Sequence, residues 1–368
     1  MTYGSVNADT LVTSTSGGIL GAGNASIMKN RIINGAMVID QRNAGASVTA
    51  VDGVYTLDRW RTWSSQTSKF SIQQNAGGVT PPTGFKNYLG IGSVSSYSVT
   101  STDYFGVAQY IEGYNVADLA WGTANAKTVT LSFQVYSSLT GTFGGAINNS
   151  AFNRSYPFSY SIPVANAWTT ISVTIAGDTS GTWLSTNGLG MSVFFGIGVG
   201  SAVSTTAGAW AAGSYYSSTG ATSVVGTNNA FFAVTAIQLE VGSSATGFEY
   251  EIYSSLLSKC QRYYWTNTGS ASIMAIGVGG FPTTSRCDTT TSFPVQMRTI
   301  PSVSFTGTPA IDDYYSVSGN VSSVAATYLT QNGGVVVNNM AISTFVSGRV
   351  GRYTLGSGAY AINYSAEL

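Results

Sequence analysis

Residues 129–136 read Val-Thr-Leu-Ser-Phe-Gln-Val-Tyr. Val129, Leu131, Phe133 and Val135 alternate with Thr130, Ser132, Gln134 and Tyr136. A period of two with one apolar and one hydroxyl- or amide-bearing side is a half-buried antiparallel strand. Ile171, Val173 and Ile175 repeat the pattern around Ser172 and Thr174, and the runs Met191–Val199 and Phe231–Val241 read as further strands. Gly, Asn and Ser turns separate them. Many short strands of this kind with turn signals between them predict a β-sandwich or jelly roll.

Composition agrees. Of 368 residues, 44 are Gly, 22 Tyr, 16 Phe and 7 Trp, and 43% are hydrophobic. Charged residues are only 8%, against about 25% in an average soluble domain. Disordered chains are poor in aromatics and rich in charge, so this chain is expected to bury a core under a surface of hydroxyls and amides. The 15 basic residues balance the 15 acidic ones and there is no histidine. That composition excludes a Ser-His-Asp triad and any imidazole base. A zinc site would have to come from two cysteines and carboxylates, so no metal or other cofactor is expected. With zero net charge and no basic run, nucleic acid is not an expected partner.

Leu189 to Val203 is the most apolar stretch and is too short and Gly-rich to span a bilayer. No membrane insertion is expected, and the first ten residues lack the charged and apolar regions of a secretory signal. Cys260 and Cys287 are read as two unpaired, partly buried thiols or as a single pair.

Four regions follow. Residues 1–29 are a Gly/Ser/Thr/Ala-rich extended arm that orders by packing on something else. Residues 30–250 are the jelly-roll domain, opening with a strand or two from Ile32, Ile33, Met37 and Ile39 around the turn Asn34-Gly35. Residues 251–265 are one short connecting helix. Its stripe is Ile252, Leu256, Cys260 and Tyr263, with Glu249 and Glu251 at its start and Lys259 and Arg262 near its end. Residues 266–368 return to strands, at Phe293–Val295, around Val303 and Phe305, and at Val335–Val337 after the turn Asn332-Gly333-Gly334. The expected fold is all-β: a jelly-roll domain plus a smaller C-terminal β domain. Thr179 to Leu239 holds no charged residue, which predicts a face covered by another subunit or a partner.

Two stretches resemble a module of tailed-bacteriophage virion proteins. One runs from Arg31 to Met37 (RIINGAM), through Gln41-Arg42, to Tyr55-Thr56-Leu57-Asp58-Arg59-Trp60. The other, Ala236 to Tyr264, resembles the closing part of that module, with a weaker likeness at Phe293 to Arg298. Gly247 stands where the family usually has Pro, and the usual Arg near Tyr250 is missing. The resemblance implies a virion appendage, commonly a tail fibre, with a domain like a carbohydrate-binding module, usually in a trimer. It implies partners in a homotrimer, in other virion proteins through residues 1–29, and in a host-surface glycan. A capsid decoration or head-fibre protein with a purely structural role and a glycan-degrading tailspike are the alternatives.

Asp58, Arg59 and Trp60 read as an Asp–Arg pair under an indole ring that pins a sheet edge, and Gln41 and Arg42 as holding the first strand to the sandwich. Gln238 and Glu240 read as a buried-edge hydrogen bond. Glycoside hydrolysis needs two suitably spaced carboxylates. The local pairs Glu112/Asp118, Glu249/Glu251 and Asp312/Asp313 carry no further feature of such a site, so no enzyme is expected. Receptor contact is read at two Tyr/Gly/Ser-rich segments, the composition that paratopes use: Trp210, Tyr215 and Tyr216 in one, Asp312, Asp313, Tyr314 and Tyr315 in the other, the latter with Arg349 and Arg352 further along the chain. A calcium ion at Asp312-Asp313 would lack a third ligand.

Overall fold

The computed structural model describes residues 10–12, 19–21, 28–269, 277–307, 309–315, 317–354 and 360–368. Most of the expected arm at 1–29 lies outside the described residues, except that Thr10–Val12 pairs antiparallel with Ile19–Gly21.

Among the described residues the fold is all-β with one short α-helix and a small C-terminal barrel. Two sheets form the sandwich. One has seven strands, in the order Ala211–Ala212, Arg154–Ile162, Gly141–Asn149, Leu189–Val199, Tyr104–Glu112, Trp60–Ser64, Tyr55–Leu57. The other has six, in the order Thr169–Ile175, Val129–Ser137, Phe231–Val241, Leu89–Ser93, Phe70–Gln74, Val48–Thr49. The period-two residues Val129, Leu131, Phe133 and Val135 are buried between the sheets. Phe133 lies 5.0 Å, centroid to centroid, from both Tyr160 and Phe195 of the facing sheet, edge to face as aromatic quadrupoles prefer.

Part of the charge-free stretch is buried within the chain itself. It contains Leu189–Val199 and most of Phe231–Val241, which lie inside the two sheets, and nine consecutive residues of each are buried. Their lack of charge follows from burial within the chain, where an unpaired charge is costly.

A correction concerns residues 30–40, which form no strand. Asn34, in the left-handed region at φ 60°, acts as a hub. Its Nδ2 donates to the carbonyls of Ile39 (2.8 Å) and Asp58 (3.0 Å), and its Oδ1 accepts from the amides of Val38 and Ile39. A local side-chain network has replaced the ladder. Phe293–Val295, also expected as a strand, is a turn region.

The helix spans Tyr253–Gln261. Leu256 and Cys260 bury against Ile39, and Tyr263 just beyond it is buried too. Ile252, the first residue of the expected stripe, is extended and 78% exposed. Beyond the helix, six strands close a barrel: Val278–Thr283, Arg286–Ser292, Gly333–Met340, Ser318–Thr330, Ala310–Asp312 and Val350–Thr354. A three-stranded sheet of Tyr264–Gly269, Tyr360–Ser365 and Ser302–Thr306 stands beside it. Cys287 sits in the barrel core and Cys260 in the helix cluster, both free. Among the described residues no helix is long and apolar enough to cross a membrane.

Candidate ligand-binding site

The two motifs that carry the family resemblance meet in space. Arg31 N donates to Leu239 O (2.9 Å), Ile237 N to Gly35 O (3.0 Å), and Asn30 N to Glu249 Oε2 (2.7 Å). Gln238 Nε2 donates to Glu240 Oε1, which also accepts from Thr246 N. Both side chains are buried, so these polar residues fasten the closing turn.

Asp58 and Arg59 take separate partners, which corrects the expected Asp–Arg pair. Asp58 accepts from Gln41 N (2.6 Å) and Gln41 Nε2 (2.7 Å). Burial pushes its pKa up to about 6, with Arg42 and the Gln41 bonds pulling the other way. Arg59, with φ 70°, turns its guanidinium onto Glu367, the Tyr110 carbonyl and the face of Tyr263 at 3.6 Å. Arg42 reaches the same Glu367 (2.7 Å) and stacks on Tyr264 at 3.6 Å. Trp60 Nε1 donates to Asn34 O (3.2 Å) and its ring is buried in the sandwich. Gln41, Arg42, Asp58 and Arg59 thus line the seam between the sandwich and the three-stranded sheet of the C-terminal domain.

At the barrel, the strand Ala310–Asp312 and the turn after it bring the second expected segment together with two arginines. Arg352 Nε donates to Asp312 Oδ1 and Oδ2 (3.0 and 3.2 Å) and its guanidinium lies 4.0 Å from the Tyr314 ring centroid. Arg349 donates to Asp313 Oδ2 (2.6 Å) and lies 4.5 Å from the Tyr315 ring. Asp313 Oδ1 accepts from the amides of Tyr315 and Val317 (3.0 Å each), which shapes the turn. Tyr314 and Tyr315 are 55% and 77% exposed. Each aspartate is therefore matched by a guanidinium, and each guanidinium carries one outward tyrosine.

The first expected segment divides. Trp210 joins Trp121 and Trp183 in a trio with centroids 4.7–5.4 Å apart. All three indole N–H groups donate to backbone carbonyls, Trp210 to Ala176 O, Trp121 to Lys127 O and Trp183 to Ser180 O. Trp121 and Trp183, with Leu119 and Met191, wall a cleft of about 250 Å³ that Trp210 does not line. Tyr216 instead packs on the outer face of the seven-stranded sheet against Trp63 (4.8 Å), Tyr104 (5.3 Å) and Phe194 (5.7 Å). Tyr215 is half-buried, its backbone held by Ser155 and Asn148. Sequence reading missed Trp63, Trp121 and Trp183, because the contacts that assemble them join residues 27 to 153 positions apart, on different strands and loops.

The acidic pairs examined for hydrolysis are engaged elsewhere. Buried Glu112 is held by Arg262 Nε and NH2 (3.0 and 2.6 Å) and by the Tyr263 hydroxyl (2.6 Å). Asp118 pairs with Arg31 and Glu251 with Lys259. Among the described residues no group of three or more Cys, Asp or Glu is placed to hold a metal ion.

No protein-family model matches the sequence, and no curated protein matches it significantly. Several solved structures are similar. The enzymatically active domain of bacteriophage CBA120 tailspike protein 4 has 11% identity and a TM-score of 0.30, over 50% of this chain and 20% of that one. The family 11 carbohydrate-binding module from Clostridium thermocellum, in complex with a β-1,3-1,4-mixed-linked tetrasaccharide, has 14% identity and a TM-score of 0.28, over 54% of this chain and 98% of that one. TmCBM61, in complex with β-1,4-galactotriose, has 6% identity and a TM-score of 0.26, over 50% and 88%. All three similarities are distant. This chain spans a fifth of the tailspike structure it matches.

Proposed function

We propose that the chain is a non-enzymatic structural subunit of a tailed-phage virion, a tail fibre protein that meets a host-surface glycan through its barrel. In this reading residues 1–29 attach it to other virion proteins and three copies assemble. The observation that carries the glycan contact is the Tyr314–Tyr315 pair: two adjacent exposed rings, each braced by its own arginine–aspartate unit. Rings held this way lose little entropy on binding and offer apolar faces to sugar rings, while the guanidinium groups supply donors for hydroxyls. Single contacts of this kind are weak, and three copies acting together raise avidity by about 10²–10⁴.

The Tyr314→Ala/Tyr315→Ala double variant should then lose most adsorption to host cells, at least about tenfold, while its melting temperature stays close to wild type, since exposed substitutions change stability by about 0.5 kcal/mol or less. A folded double variant that adsorbs normally removes the loop from receptor contact.

A further inference from the structure

Arg61 lies on the strand Trp60–Ser64, where residues alternate between core and exterior. Trp60, Thr62 and Ser64 are buried, and Arg61 and Trp63 stand on the outer face of the seven-stranded sheet. The register sets Arg61 beside Ala108 and Trp63 beside Gly106 on the neighbouring strand. Tyr104 and Tyr110 of that strand rise on the same face, with Trp63 centroids 5.4 and 6.4 Å away. Phe152 and Tyr216 complete an aromatic floor at 5.3 and 4.8 Å from Trp63.

The chain has ten arginines. Nine of them donate hydrogen bonds to carboxylates or carbonyls of the protein. Arg61 alone, among the described residues, donates none and joins no ion pair. Its guanidinium rests 4.5 Å from the Tyr110 centroid and 5.7 Å from Trp63, and its Nε is buried without a partner. A guanidinium desolvated on one side by rings and left with free N–H groups on the other is a cation awaiting an anion. Two neighbours mark the same edge. The Asp52 carboxylate accepts from Ser64 N (2.9 Å), and Leu368 O is taken by the Tyr55 hydroxyl (3.0 Å), not by Arg61.

We propose that this face is a second saccharide site, for a carboxylate-bearing pyranose such as a hexuronic acid residue. The planar carboxylate meets the guanidinium fork in two parallel hydrogen bonds. The sugar ring lies over the half-buried Trp63 and Phe152 rings, and Asp52 accepts from a ring hydroxyl. A neutral sugar would leave the guanidinium charge unanswered, and one cation is too little for a nucleic-acid backbone.

The test is calorimetric titration of the full chain with trimers of galacturonate, glucuronate and mannuronate, and with the neutral trimers of the same hexoses. At least one uronate should bind about tenfold tighter than its neutral counterpart, weaken with added salt, and lose that advantage in Arg61→Gln. Arg61→Lys, which keeps the charge and loses the fork, should fall between. If no uronate binds, if the neutral trimer binds equally, or if folded Arg61→Gln binds as wild type does, the proposal is overturned; should Arg61→Gln fail to fold, Arg61→Lys decides alone. The Tyr314→Ala/Tyr315→Ala variant should titrate as wild type here, so this site and the barrel loop fail separately.

Discussion

Asp58 shows what a single buried carboxylate does at the seam. Both its oxygens are occupied by Gln41, and removal from water raises its pKa from the ordinary 3.8 to about 6. The folded state therefore takes up this proton before the unfolded chain does. The stability that protonated Asp58 supplies is complete below about pH 4 and is lost as pH rises through about 6. Relative to Asp58→Asn, which does not titrate, the wild type should gain about 1.4 kcal/mol between pH 7.5 and pH 5. Urea unfolding of both proteins at the two pH values measures this directly. An offset that does not change with pH would mean that Asp58 stays ionised throughout. The neighbourhood of Asp58 was only half legible in sequence. Asp58, Arg59 and Trp60 stand together as one motif, yet Arg59 finds its carboxylate at Glu367, 308 positions on. No local spacing rule reaches that far.

Among the elements, legibility followed periodicity. Val129–Ser137 and Thr169–Ile175 alternate in sequence and in burial, because one face of each meets the core and the other does not. The segment 30–40 misled because its apolar residues are anchored from a turn and not from a ladder. Ile32 and Met37 are buried in the sandwich and Ile39 under the helix, while the backbone is steered by Asn34. Gly35 is the point where that turn touches the sheet. A Cβ there would lie 2.1 Å from the Ile237 carbonyl oxygen, backbone that cannot yield without moving a central strand. Gly35→Ala should cost about 2–3 kcal/mol and break the Ile237 N–Gly35 O bond that joins the opening and closing motifs. Thermal denaturation of the variant checks this, and a melting temperature equal to wild type would place the segment's packing elsewhere. The aromatic groups were illegible for the same reason that the strands were clear. Alternation says which face a ring takes, and only the strand order says which rings become neighbours, as with Trp63 and Tyr216.

At the scale of the whole molecule, the sandwich and the C-terminal domain each have a core, yet the seam between them is built like an interior. Glu367 is shared by Arg42 and Arg59, and Glu112 is gripped by Arg262 and Tyr263. Arg298 donates to Ala366 O (2.7 Å) and Glu367 O (2.6 Å) on one side and to Asn187 O (2.9 Å) on the other. Charges taken out of water hold only while every partner stays in place. The two domains should therefore unfold together, in one calorimetric transition whose van't Hoff and calorimetric enthalpies agree. Glu367→Ala removes the carboxylate common to two guanidinium groups, of which Arg59 is fully enclosed. Orphaning such a charge costs about 3–5 kcal/mol, and the loss falls on the seam rather than on either core. The variant should melt earlier and in two steps, with the C-terminal domain and the sandwich separating as cooperative units. A wild-type scan that already resolves two transitions, or a Glu367→Ala scan that stays single and unshifted, would mean that the cores and not the seam set the cooperativity. If the seam does set it, the exposed tyrosines of the barrel and the Arg61 face of the sandwich keep a fixed relative orientation. One extended glycan could then engage both only at a spacing the seam dictates.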